Sequence, residues 1–208
     1  MISVPVGIFT AIYLTEYAGK GRIGRVITFL VDVMTGIPSI VAGLFALSLF
    51  TLIFGVGTRM GIMGSVALSL LMIPTVVRSA EEMMRLVPGD LREASYALGV
   101  PKWRTIIKVV IPTALPGVVT GVMLATSRVI GETAPLLVAV GAAEAVNWNL
   151  FDGRMMSIPV YILTQYSVAT PEGYSNAWSA ALILIVLVMI LNLTARLVSK
   201  IFAPKTGR

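Results

Sequence analysis

Four apolar runs, at 27–54, 60–78, 113–141 and 177–202, dominate this chain of 208 residues. Each offers the roughly 20 residues that a helix needs to cross a bilayer. Few folds accept such a pattern. In hydrocarbon the backbone must hydrogen-bond to itself, so runs of this kind fold as membrane helices packed side by side. A fifth apolar segment, 1–14, is too short to span alone. Apolar residues reach 57% and charged residues only 12%, about half the charge of an ordinary soluble domain. The expected class is an all-α, polytopic integral membrane protein, with residues 1–208 forming one transmembrane domain.

The net charge of +6 is sorted by loop. Lys20, Arg22 and Arg25 fall in one loop; Arg78, Arg85, Arg92, Lys102, Arg104 and Lys108 fall in another; Arg196, Lys200, Lys205 and Arg208 lie in the tail. The intervening loops hold only Arg59 and Arg154. Excess Lys and Arg marks the cytoplasmic side, which places the C-terminus in the cytoplasm. A nucleic-acid surface would not alternate with apolar runs, so no nucleic-acid partner is expected. In this orientation residue 1 starts outside or within the membrane, and the N-terminal stretch lacks a basic leader region and a cleavage site. A preceding span is therefore expected, with five segments of six present. Neither cysteine nor histidine occurs, which excludes disulfides, thiolate or imidazole metal sites and His- or Cys-based catalysis. No Gly-x-x-x-x-Gly-Lys-Ser/Thr phosphate loop occurs either, so the chain is no ATPase and needs no cofactor of its own.

The longest basic stretch, 79–112, carries helix-forming sequence from Glu81 to Leu98. Gly99 suits the left-handed residue that closes a helix, and Pro101 suits the first turn of the next. Two short helices joined by a sharp turn are expected, protruding into the cytoplasm. The run Glu93-Ala94-Ser95-Tyr96-Ala97-Leu98-Gly99, followed by Val109-Val110-Ile111-Pro112, resembles the EAA loop of permease subunits of ABC importers, with Ser95 and Val109 as mild departures. The resemblance implies a type I importer permease fold whose cytoplasmic coupling loop, 79–112, docks on an ATP-binding subunit. Glu93, Ala94, Gly99, Pro101 and Pro112 are its implied coupling residues. The outer stretch, 142–176, carries Trp148, Tyr161, Tyr166 and Tyr174, with Trp178 at its edge, and reads as an interfacial aromatic belt.

Inside the run 113–141 lies Arg128-Val-Ile-Gly-Glu132-Thr133-Ala-Pro135-Leu. A charge at that depth is costly and marks a functional site by default. Arg128 and Glu132 are one helical turn apart and can neutralise each other. Pro135 has no N–H for the Gly131 carbonyl, so the helix is expected to kink or unwind there, as midplane helices of transporters do. Pro38, in Gly36-Ile-Pro-Ser39, should bend its own span. Asp32 reads as an interface residue, and mid-span Asn192 can hydrogen-bond across helices.

The Arg128–Leu136 run is similar to the corresponding segment of the PstA family of phosphate-importer permease subunits. Ala11–Tyr17, Gly36–Phe45, Asn176–Ala181 and Leu191–Arg196 resemble that family as well, so the likeness covers nearly the whole chain. It implies transport of inorganic phosphate across a prokaryotic inner membrane along a path lined by Arg128, Glu132 and Thr133. It also implies a PstC-like permease partner, a PstB-like ATPase dimer that holds ATP and Mg²⁺, and a PstS-like phosphate receptor outside. The alternatives left by the residues are a permease for sulfate, molybdate or phosphonate and, from another class, a channel or secondary transporter. A channel or secondary transporter would have no use for a protruding coupling loop.

Overall fold

The computed structural model describes residues 2–19 and 21–202, and among these every regular element is helical. Lys20, Lys205, Arg208 and the side chain of Lys200, used in the charge argument, lie outside the described part. Helix α1 (Ser3–Ile12) runs into a wider π turn at Tyr13–Tyr17. Then come α2 (Arg22–Gly36), α3 (Ser39–Phe54), α4 (Gly61–Arg85) and α5 (Gly89–Ala97). The short α6 (Lys102–Thr105) passes through a second π turn, Ile106–Val110, into α7 (Ile111–Ile130). The chain ends with α8 (Ala134–Ala139), α9 (Ile158–Ser167) and α10 (Pro171–Phe202).

Among the described residues three helices are long and apolar enough to cross a membrane, Gly61–Arg85, Lys102–Ile130 and Pro171–Val198, or four if α2 and α3 count as one bent span. The expected five are not reached by length and composition, because α1 has 10 residues. The run 27–54 is not one rod. It is broken between α2 and α3, where Pro38 adopts an extended ψ of 136°. A residue before proline is driven out of the helical region, so Ile37 ends α2 and Pro38 opens α3. The run 113–141 is likewise interrupted after Ile130.

The stretch 79–112 also differs from expectation. Helix α4 continues to Arg85, and Pro88 divides the expected 81–98 helix before α5 begins. The second short helix is no separate element, since α6 is the first turn of the long helix Lys102–Ile130. Pro112 lies inside that helix, just after a π turn in which Ile111 N–H bonds to the Ile106 carbonyl. Widening the helix upstream of Pro112 accommodates a residue that cannot donate to Lys108.

The described residues group into two compact units. In the first, α1, the C-terminal half of α4 and α7 pack through Ala11, Ala80, Met84, Val87, Val110, Ala114 and Val118. In the second, α3, the N-terminal half of α4 and α8 pack through Ala46, Met63, Ala67, Ala139 and Val140. Alanine recurs in both because lipid tails are as apolar as leucine, so helices associate through close packing of small residues. Gly43 shows how close. A Cβ there would stand 2.7 Å from the Pro135 Cα and 2.8 Å from its carbonyl oxygen, backbone atoms with nowhere to go.

Gly43→Ala should therefore push α8 off α3, an overpacking cost of about 1–3 kcal/mol. A lower unfolding temperature of the detergent-purified protein is expected; an unchanged temperature would show that the two helices do not meet this closely.

Candidate functional site

The segment expected to act as a coupling loop, in the first unit, is built on two proline starts and one glycine stop. Pro88 and Pro101 precede α5 and α6 with extended ψ values of 138° and 150°. Gly99 takes φ +74°. Its N–H bonds to the Tyr96 carbonyl at 2.9 Å, and Val100 N–H reaches back to Ser95 at 3.2 Å, the paired bonds of a glycine-closed helix end. Glu93, Ala94, Gly99 and Pro101 are all exposed, as a docking surface requires. Pro112 is exposed too, but it sits in α7 rather than in this turn.

Ser95, the departure from the usual small residue, is buried and shares a 2.8 Å hydrogen bond with buried Thr105. That bond ties α5 to α6. Sequence reasoning gave it no role, although a hydroxyl in an alanine position is a readable signal. Nearby, the buried Glu81 carboxylate bonds to Arg78 and Arg85, each at 2.8 Å. Arg78 also pairs with Asp32, whose side chain is 60% exposed.

The second candidate site, in the second unit, is the helix break. Helix α7 ends at Ile130, and the N–H groups of Gly131 and Glu132 fold back on the carbonyls of Arg128 and Val129 at 3.1 and 3.2 Å. Thr133 occupies the N-cap position of α8 without a side-chain cap bond, and Pro135 falls in the first turn. The proline thus starts a helix instead of kinking one, and the break lies just before it. Arg128 stands in the last turn of α7 rather than mid-helix, where a cation is favoured by the exposed carbonyls. Its Nε is 3.9 Å from Glu132 Oε1, a loose pair, with side-chain exposures of 66% and 18%. Glu132 is tucked in; Arg128 projects outward. Thr133 borders a cavity of about 520 Å³ with Ala134, Leu137, Pro159, Leu163 and Tyr166.

One residue of this site was missed. Arg59, from the loop between α3 and α4, donates through Nη1 to the carbonyls of Val138 and Ala139 and so caps the far end of α8. Helix α8 is therefore fixed at both ends, by Arg59 on its last carbonyls and by the Gly43–Pro135 contact at its start. The outer aromatics divide. Trp148 is exposed on a loop, while Tyr166 and Tyr174 meet edge to face at 5.3 Å between α9 and α10.

Residues 3–208 match the family described as binding-protein-dependent transport system inner membrane component. The chain is 50% identical over 198 residues to phosphate transport system permease protein PstA 1 of Mycobacterium tuberculosis (strain ATCC 25618 / H37Rv), covering 95% of this chain and 64% of that one. It is 38% identical over 206 residues to PstA of Yersinia pestis, covering 99% and 68%. It thus spans about 64% of the length of the mycobacterial relative. Among solved structures, a chain of the MetNI methionine ABC transporter, captured in inward facing conformations, superposes with a TM-score of 0.73 at 22% identity. The superposition covers 98% of this chain and 87% of that one, a likeness of fold.

Nothing stands within 4 Å of a Cβ built on Gly99, so a larger residue there strains the backbone alone, by about 1–2 kcal/mol. Gly99→Val should loosen the α5–α6 turn and speed tryptic cleavage at Lys102 or Arg104 in inside-out vesicles. An unchanged cleavage rate would count against the left-handed closure.

Proposed function

This chain belongs to the family of binding-protein-dependent transport system inner membrane components, and on that premise we propose that it is a permease subunit of an ATP-driven importer of inorganic phosphate. Curated relatives named as phosphate transport permeases, at up to 51% identity, support phosphate as the cargo. The observation that carries the mechanism is the helix break with its projecting cation. A guanidinium bare in lipid is expensive, yet Arg128 is two-thirds exposed beside an interrupted helix. In a half-pathway it faces water or the second permease subunit.

The chemistry suits a tetrahedral oxyanion. The planar guanidinium presents paired N–H donors that match phosphate oxygens, and the Thr133 hydroxyl can add another. Glu132, at 3.9 Å, offsets part of the positive charge, so the anion is attracted without being trapped. On this reading ATP and Mg²⁺ are bound by a separate PstB-like ATPase dimer, which docks on the turn that exposes Glu93, Ala94 and Gly99. A PstC-like subunit supplies the other half of the path, and a PstS-like receptor delivers phosphate from outside. The C-terminus lies in the cytoplasm, as the loop charges require.

The double replacement Arg128→Met with Glu132→Leu separates transport from architecture. A loose pair at 3.9 Å with one exposed partner adds little to stability, so the complex should still assemble. Radiolabelled phosphate uptake, at matched membrane levels, should fall by about tenfold or more, an effect of at least 1.4 kcal/mol. Wild-type uptake by the double variant would remove these residues from the path.

A further inference from the structure

The coupling segment rests on a buried charge that no role above accounts for. Arg92 leaves the inner face of α5 and reaches three elements at once. Its Nη2 and Nε donate to Glu16 Oε1 at 3.0 and 3.3 Å. Its Nη1 donates to the Val87 carbonyl at 2.7 Å, and Nη2 also donates to that of Met84 at 2.9 Å. The two side chains are only 20% and 6% exposed. One guanidinium thus caps the end of α4, tethers α5 and holds the π turn after α1.

The grip is doubled from the other side of the turn. Lys102, at the start of α6, donates to the Glu16 backbone carbonyl and stands 5.0 Å from the centre of the Tyr17 ring. With Ser95 bonded to Thr105 across the turn, the loop is stiff within itself and clamped to one acidic residue. The carbonyls that Arg92 caps belong to Met84 and Val87, core residues packed with Ala11 of α1 and Val110 and Ala114 of the long helix. The exposed residues Glu93, Ala94 and Leu98 lie on the other face of α5.

We propose that Glu16 is a positioning residue for coupling: its buried carboxylate, through Arg92, makes α5, the end of α4 and the turn after α1 move as one body. A push on α5 is then delivered to α1 and α4 together instead of being lost in a hinge. The proposal rests on the reading of this segment as the ATPase-coupling loop. Glu16 lies off the docking face, so assembly and transmission should separate.

The test uses the whole complex, with both permease subunits, ATPase and receptor, in proteoliposomes. Glu16→Leu should leave the amount of co-purified ATPase within about twofold of wild type, while the ratio of receptor-stimulated to basal ATP hydrolysis falls about tenfold, as expected for a broken buried pair. Glu16→Gln, which still accepts a hydrogen bond, should fall between. The chain has no cysteine of its own, so Glu16→Cys with Arg92→Cys can be joined by a short bis-maleimide linker. The linker should restore most of the lost ratio, because the two elements need only stay together. A wild-type ratio in Glu16→Leu, or a ratio that the linker leaves unchanged, would overturn the proposal. So would loss of assembly in both Glu16→Leu and Glu16→Gln, which would make the residue a folding element. A wild-type complex whose ATPase ignores the receptor would instead overturn the coupling reading itself, before any variant is made.

Discussion

In hydrocarbon no water is available to an unpaired backbone group, so a membrane chain may leave its helices only where other groups satisfy the exposed N–H and C=O. The two interruptions here obey that constraint. At Pro38 the chain restarts at once, with Val41 and Ala42 N–H both on the Pro38 carbonyl. At Gly131–Thr133 the turn closes on α7, and the far end of α8 is closed by Arg59. The position of Arg128 and Glu132 follows from this. The pair is fixed by a built break, one side of which is an intact helix end and the other a short helix wedged against Gly43.

The segment from α5 to α6 solves the same problem with charge. Membrane-facing packing relies on alanine and glycine, whereas α5 and α6 are held by Arg92, Lys102, Glu16 and a buried Ser–Thr bond. Buried ion pairs are poor sources of net stability because desolvation opposes them. Four hydrogen bonds from one guanidinium fix a geometry all the same. The contrast is with α10, where Leu182, Ile183 and Ile190 are apolar and exposed.

Much of this was legible in the sequence. The apolar runs gave the helical class, the Gly99 stop and its left-handed backbone were readable from one residue, and Pro38 and Pro135 marked the two breaks. Proline was read unevenly: Pro101 was expected to open a helix, as it does, but Pro135 was expected to kink one and Pro88 was passed over, although a missing N–H suits a helix start in each case. Pro135 opens α8, Pro88 opens α5, and Pro112 is carried inside α7 behind a π turn. The expected helix from Glu81 to Leu98 failed at Pro88, and the second short helix failed because α6 runs on through a π turn into α7. Arg59 and the Glu16–Arg92 clamp were invisible for a different reason. Their partners lie 79 and 76 residues away, and Arg59 bonds to backbone carbonyls, which carry no sequence signature.

The central claim is that the break at Gly131–Thr133 opens on an aqueous anion path. Because the chain has no native cysteine, Thr133→Cys gives this chain one thiol at the break. In membrane vesicles containing the whole complex, a negatively charged, membrane-impermeant thiol reagent should modify that position, and phosphate-loaded receptor with ATP should change the rate. No modification from either side of the membrane, while a cysteine at exposed Trp148 reacts readily, would mean that the break faces lipid or protein and that the path lies elsewhere.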